Sequence, residues 1–213
     1  MNAPPSARFA DLARGAGKAE RTRARLMDAA AALFARDGFE GASVHEITRL
    51  ADVANGTFYT YFRDREAIAQ AVAIGMAGQV AARLDQAMAG ETHAARRVVL
   101  GTCGFIDFGA ANPDWGRTLF RAAWQRRELR AGVMAFCRAD LELGAAQGHF
   151  TTAIDDTAVD LFAATTMGGL FRRLEGAGPE TGRRTAELQL VMLGVPPTEA
   201  RDFAWDDAAP IRS

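Results

Sequence analysis

From Asp52 to Arg65 the chain reads Asp-Val-Ala-Asn-Gly-Thr-Phe-Tyr-Thr-Tyr-Phe-Arg-Asp-Arg. Both tyrosines of the 213-residue chain, Tyr59 and Tyr61, fall in this stretch beside Thr57 and Thr60. One short helical segment therefore carries four hydroxyls and the amide of Asn55. Groups of this kind donate to phosphate oxygens and read base edges, and an asparagine can pair with adenine through two hydrogen bonds. Phe58 and Phe62, four apart, give the segment a buried edge. A core helix does not concentrate hydroxyls in this way. Asp52 and Asp64 would repel phosphate and are read as turn and cap residues.

The elements that must hold this segment are legible upstream. From Arg21 a helical pattern places Leu26, Ala29, Ala30, Leu33 and Phe34 on one face, and Asp37-Gly38 ends it. Ser43-Val44-His45-Glu46 is a capping box, in which Ser43 and Glu46 satisfy each other's backbone amides. Ile47, Leu50 and Ala51 continue that second helix, a break follows at Asp52, and a third helix runs from about Asn55 to Phe62. Two short helices joined by a tight turn, propped by a longer one, make a helix-turn-helix whose last helix enters a major groove about 12 Å wide.

Charge and composition narrow the partners. The formal net charge is −1, which argues against a general polybasic coat for nucleic acid. Residues 8–25 nevertheless hold Arg8, Arg14, Lys18, Arg21, Arg23 and Arg25 against only Asp11 and Glu20. This stretch reads either as a solvated arm or as one that tracks phosphates. Residues 1–18, rich in Ala, Gly, Pro and Arg, show no periodicity and are expected to form a flexible basic arm. Cys103 and Cys137 lack pairing spacing, and His45, His93 and His149 are scattered, so neither a metal site nor a cofactor is expected. The expected state of the thiols is buried and reduced. No unbroken apolar run approaches the roughly 20 residues of a membrane span, and the start lacks an apolar signal core. A cytoplasmic protein without a membrane partner is expected.

Beyond Glu66 the texture becomes long helices: Ile68 to about Met88, His93 to Ala111, a short aromatic one around Trp115, Glu128 to Gln147, Asp155 to Glu175, and Pro179 to Leu193. The expected fold is all-α with about nine helices. Its divisions are an arm at 1–18, a DNA-binding domain at 19–66 with motif helices at about 43–62, a larger helical domain at 67–205, and a tail at 206–213.

The first third of the chain resembles the tetracycline-repressor-like (TetR) family of bacterial transcriptional regulators. The resemblance rests on Arg23 through Phe39, on Ser43-Val44-His45-Glu46-Ile47, on Val53, and on Gly56-Thr57-Phe58-Tyr59-Thr60-Tyr61-Phe62, with Arg65-Glu66 opening the fourth helix. Roughly 45 residues carry it, and the rest matches in style only. Two positions depart from the family pattern. Asp52 stands where the turn usually has glycine, and Thr48 where the motif helices pack closely on a small alanine. The resemblance implies that Thr57 and Tyr59 meet phosphate or base edges, and that Asn55, Gly56 and Thr60 face the groove. It further implies that His45 either reaches a base or stands as a solvated helix residue, that Ser43 or the amides after it hold a phosphate at the helix start, and that Arg65 clamps another. Tyr61 either joins these contacts or covers the edge of the module.

The family's larger domain dimerises and binds a small inducer, so the resemblance also implies a homodimer on roughly palindromic double-stranded DNA and a small-molecule effector. Small residues in the segment from Val159 onward would admit a partner helix, which nominates Phe162, Thr166, Gly169 and Leu170, with Leu188, Val191 and Met192 on the last helix. An aromatic middle nominates Phe105, Phe108, Trp115, Leu119, Phe120, Trp124, Met134 and Cys137 for an apolar effector pocket, against the plainer reading of core packing. The expected function is a repressor released by a largely apolar effector. The alternative is a DNA-binding protein of the same fold that is architectural or protein-regulated. An enzyme is not expected, because no paired carboxylates with a nearby His, no phosphate-cradling loop and no nucleophile elbow are found; Gly-Thr-Cys-Gly at 101–104 lies inside a helical pattern.

Overall fold

The computed structural model describes residues 9–38, 41–123 and 127–206. Among the described residues every regular element is a helix. In order these are α1 (Phe9–Leu12), α2 (Lys18–Asp37), α3 (Val44–Leu50), α4 (Asn55–Tyr61), α5 (Arg65–Ala87), α6 (Ala94–Ala111), α7 (Pro113–Ala123), α8 (Arg127–Ala146), α9 (Asp156–Leu174), α10 (Thr181–Met192) and α11 (Pro197–Trp205). The sequence leads to nine of these; α1 and α11 are additions.

The signals that set the helix ends act as their chemistry requires. Ser43 accepts from the Glu46 amide at 3.2 Å while the Glu46 carboxylate accepts from the Ser43 amide at 3.0 Å, which closes the capping box. Asp64 caps α5 by accepting from the Ala67 amide at 2.7 Å, and Asp155 caps α9 through the Ala158 amide at 2.8 Å. Between α3 and α4, Asp52 has φ +53°, the one positive φ at a non-glycine among the described residues. The Arg25 guanidinium on α2 donates to the Ala51 carbonyl at 2.6 Å and so holds the strained turn from outside.

The expected flexible arm is corrected in part. Phe9–Leu12 is helical, and its first amides donate to both carboxylate oxygens of Asp28 on α2, at 2.6 and 3.0 Å. A cap borrowed from another helix leaves no local signature, so the sequence pattern does not show it. The Phe9 ring is buried against Gly75 of α5, where an added Cβ would stand 2.4 Å from a ring carbon.

Two apolar clusters organise the chain. The larger runs without a break from α2, α3 and α4 along α5 to Phe105, Trp115 and Leu170, so the helix-turn-helix module and the body share one core. The second lies among α6, α8, α9, α10 and α11, around Leu141, Phe150, Leu190 and Leu193. α5 is long and apolar enough to cross a membrane, although the sequence shows no unbroken run of that kind. Two thirds of its apolar window is buried inside the fold, which makes it the central core helix.

Candidate DNA-reading head and effector cavity

The head is built outward from Phe58. This side chain is fully buried, Phe62 nearly so, and their rings lie 5.8 Å apart. The pair anchors α4 to α2, where the Arg23 guanidinium covers the Phe62 ring at 5.2 Å. The opposite face of α4 is thereby turned to solvent. Asn55, Gly56 and Thr60 are exposed, Thr57 is half-buried, and Tyr59 is 58% exposed while its ring sits edge-on to Phe58. Ser43 and His45 are exposed at the start of α3, and Arg65 is half-buried at the start of α5. Tyr61 packs against the core, which favours its role as a cover over a contact. Thr48 is buried; its hydroxyl donates to the His45 carbonyl at 3.0 Å and lies 3.5 Å from the Asn55 side-chain oxygen, bridging α3 to the first residue of α4.

The body holds a cavity of about 480 Å³, open on one side to solvent, among α5, α6, α7, α8 and α9. Of the pocket residues nominated from sequence, Phe105, Leu119 and Cys137 line it. Phe108 and Trp115 do not. The Trp115 indole donates to the Ala73 carbonyl at 3.0 Å and its ring meets Phe108 edge-on at 5.1 Å, so both are structural core. Phe120 stacks on Phe171 at 5.0 Å, away from the cavity. Trp124 and the side chain of Met134 fall outside the described residues.

The nominated dimer residues divide as well. Phe162 and Thr166 line the cavity. Leu170 is fully buried, and a Cβ on Gly169 would stand 2.6 Å from Ile106, because the small residue lets α9 approach α6 inside the chain. Small residues on α9 thus mark an internal helix contact. Met192 is half-buried against the second core, whereas Leu188 and Val191 are exposed. Leu161, Gly168 and Phe171 are exposed on α9, one or two positions from the residues nominated, and Leu161 also belongs to the cavity lining.

Five polar groups of the cavity escape the sequence reading, the fifth being Asp160 on α9. Arg97 of α6 is nearly buried; its Nε donates to Asp140 at 2.6 Å, its Nη2 to Asp85 at 2.5 Å and its Nη1 to the Met88 carbonyl at 2.9 Å. Burial alone would lower the guanidinium pKa, but the hydrogen bonds and charges of Asp140 and Asp85 outweigh it, so the pKa stands above its ordinary value. Burial raises the Asp140 carboxyl and Arg97 opposes that rise. The fourth group is Thr102, whose hydroxyl donates to the fully buried Gln189 at 2.7 Å. One sequence signal for Arg97 was present: it lies on the same stripe as Ala94, Val98 and Gly101, a charge on an apolar helix face. Burial pushes the Cys137 thiol up to about 12 and the Cys103 thiol up to about 11, so both are protonated and unreactive at neutral pH. Among the described residues no group of His, Cys, Asp and Glu is arranged to hold a metal ion.

Comparison with known proteins gives this arrangement a context. The model of the family described as "Bacterial regulatory proteins, tetR family" matches residues 26–72, the reading head and the first turns of α5. The crystal structure of RolR in complex with resorcinol is similar over 92% of this chain and 98% of its own, with TM-score 0.75 and 30% identity. The chain belongs to the tetR family of bacterial regulatory proteins. It is a transcriptional regulator with a helix-turn-helix DNA-binding domain. Ligand-free RolR is similar over 89% of this chain, with TM-score 0.73 and 28% identity. Curated relatives match over a smaller part of the chain. The A-factor receptor protein of Streptomyces griseus is 44% identical over 55 residues, 26% of this chain and 20% of its own length. The HTH-type transcriptional regulator UidR of Escherichia coli (strain K12) is 32% identical over 73 residues, 34% of this chain. The chain thus spans a fifth of the first relative's length and 37% of the second's.

Proposed function

We propose that this regulator is a cytoplasmic homodimeric repressor, which holds a roughly palindromic DNA site until a small, largely apolar effector enters the body cavity. The observation that carries this reading is α5. Its first turn belongs to the reading head, and further along Ile74, Ala77, Leu84 and Asp85 line the cavity. A ligand that repositions the cavity wall must act on the helix that carries the head. RolR, of the same architecture, takes up resorcinol, which supports a small aromatic effector in this class of chain.

In the proposed complex Thr57, Tyr59 and Thr60 contact phosphates and base edges, Asn55 and Gly56 face the groove, and Ser43, His45 and Arg65 hold the flanks. The proposed dimer surface joins the exposed apolar stripe Leu161–Gly168–Phe171 of α9 to Leu188 and Val191 of α10. Two such helices from each protomer would form a four-helix interface that sets the reading helices about 34–36 Å apart. To release DNA, the effector must bind the DNA-incompetent arrangement more tightly by a few kcal/mol.

Titration onto the DNA upstream of its own gene at several salt concentrations, beside Thr57→Ala/Tyr59→Ala and a scrambled fragment, tests the reading. Tight binding to the native fragment, lost in the variant, is the expected result. Equal weak binding to both fragments with a steep salt slope and no effect of the variant would reduce the interaction to phosphate attraction and refute the specific site.

A further inference from the structure

Resting on the reading of the cavity as the effector site, we propose that the effector is an uncharged molecule bearing a hydroxyl, which donates to the carboxylates of Asp85 and Asp140, and that carboxylates are rejected there. The walls are otherwise mainly apolar, with Leu84, Val98, Phe105, Leu119 and Phe162 among them, so binding energy comes from apolar area and selectivity from one polar corner.

The arrangement of that corner decides its sign. A site for a carboxylate offers a guanidinium fork, two N–H groups aimed at one ligand. Here the fork of Arg97 is occupied, its Nε by Asp140 and its Nη2 by Asp85, and its Nη1 is held by the Met88 carbonyl. Two acids bracket one base, and Asp160 adds a further acid to the lining. An incoming anion meets net negative charge and an Arg whose edge is taken. Each aspartate gives one oxygen to Arg97 and keeps a second as acceptor, and a hydroxyl is the group that supplies a proton to it without bringing charge. A cation is attracted by the same acids, but two phenylalanines in the lining do not make the aromatic cage that replaces the water shell of an organic ammonium. Burial raises the Asp140 carboxyl, in keeping with a corner that resists added charge.

The test uses the full chain and four probes of one shape: naphthalene, 2-naphthol, 2-naphthoate and 2-naphthylmethylammonium, read by calorimetry and thermal shift at neutral pH. The expected order places 2-naphthol about tenfold tighter than naphthalene and 2-naphthoate weakest. In Asp85→Asn/Asp140→Asn, which leaves the Arg97 charge without its acids, the advantage of naphthol is expected to vanish and naphthoate to become the preferred probe. Asp85→Asn alone, changing a carboxylate that is half exposed, provides a milder variant in which the naphthol preference shrinks. Saturable naphthalene binding with no gain from the hydroxyl, or tightest binding by the naphthoate or the ammonium, overturns the hydroxyl rule and leaves the cavity reading standing. No saturable binding by any of the four overturns both.

Discussion

Gln189 is fully buried where α6, α9 and α10 meet, and the cost of altering it can be worked bond by bond. Its side-chain oxygen accepts from the Thr102 hydroxyl at 2.7 Å, and its amide nitrogen is shared among the Phe162 carbonyl and the Thr165 and Thr166 hydroxyls at 3.1, 3.0 and 2.8 Å. Gln189→Met keeps the length of the side chain and removes every one of these bonds. The two hydroxyls on α9 retain a partner, because each also donates to the Phe162 carbonyl, at 2.7 and 3.1 Å. The loss therefore concentrates on Thr102, a buried hydroxyl left with nothing to receive its proton, at about 1–3 kcal/mol. Thr102→Val alone should cost a similar amount by orphaning the glutamine oxygen. The double variant, with apolar groups facing each other, should cost less than the sum by about 1–2 kcal/mol. Urea unfolding of the four proteins at one fixed protomer concentration measures this cycle. Strict additivity would refute the claim that Gln189 and Thr102 act as a unit. Because Thr102 and Thr166 also line the cavity, the coupled pair links the effector site to the helices proposed for dimerisation.

Three other perturbations have expected outcomes. Phe9→Ala should undock α1 at a cost of about 2–3 kcal/mol, below the 3–5 of a central phenylalanine, and limited proteolysis should then cut faster between α1 and α2; unchanged cleavage would show that the contact with Gly75 does not hold α1. Asp52→Gly should relieve about 1 kcal/mol of backbone strain and remove an exposed negative charge beside the head, raising both the melting temperature and DNA affinity. His93 stacks on His149 at 4.1 Å with Glu91, Arg96 and Glu199 also acting on it, and its pKa is lowered by burial first and by His149 second. The unfolded chain therefore takes up the proton first, so the contribution of His93 is complete above its ordinary value of 6.5 and is lost as pH falls through and below that value. Thermal melts from pH 7.5 to 5 should show this acid loss, and His93→Gln should flatten it.

The head was legible because its signals are local. Ser43 and Glu46 are three apart, Asp64 caps the amide three residues on, and Phe58 and Phe62 share one edge, so each can be read within one helical turn. Asp52 reads as a turn residue where the family usually has glycine, and its φ of +53° is the left-handed backbone that glycine favours. The cavity was less legible because its chemistry is long-range. Asp85, Arg97 and Asp140 are separated by 12 and 43 residues and converge only when α5, α6 and α8 pack. Aromatic content was a poor guide to the pocket, since Trp115 has a polar handle that the Ala73 carbonyl claims for the core. Small residues carry two readings for a related reason: Gly169 permits close approach, and the helices that approach it in this chain are α6 and α10.

The continuity of α5 also sets a mechanical scale. From Arg65 to Asp85 a helix rising 1.5 Å per residue spans roughly 30 Å. Tilted as a rod by only ~5° about its cavity end, it would swing its other end by roughly 2–3 Å. A hydrogen bond to phosphate tolerates only a few tenths of an ångström. Under the proposed mechanism the body would work as a short-stroke machine: a ligand that shifts side chains in the cavity by less than an atomic radius would be geared up along α5 to a stroke that lifts Tyr59 and its neighbours out of register with a rigid duplex.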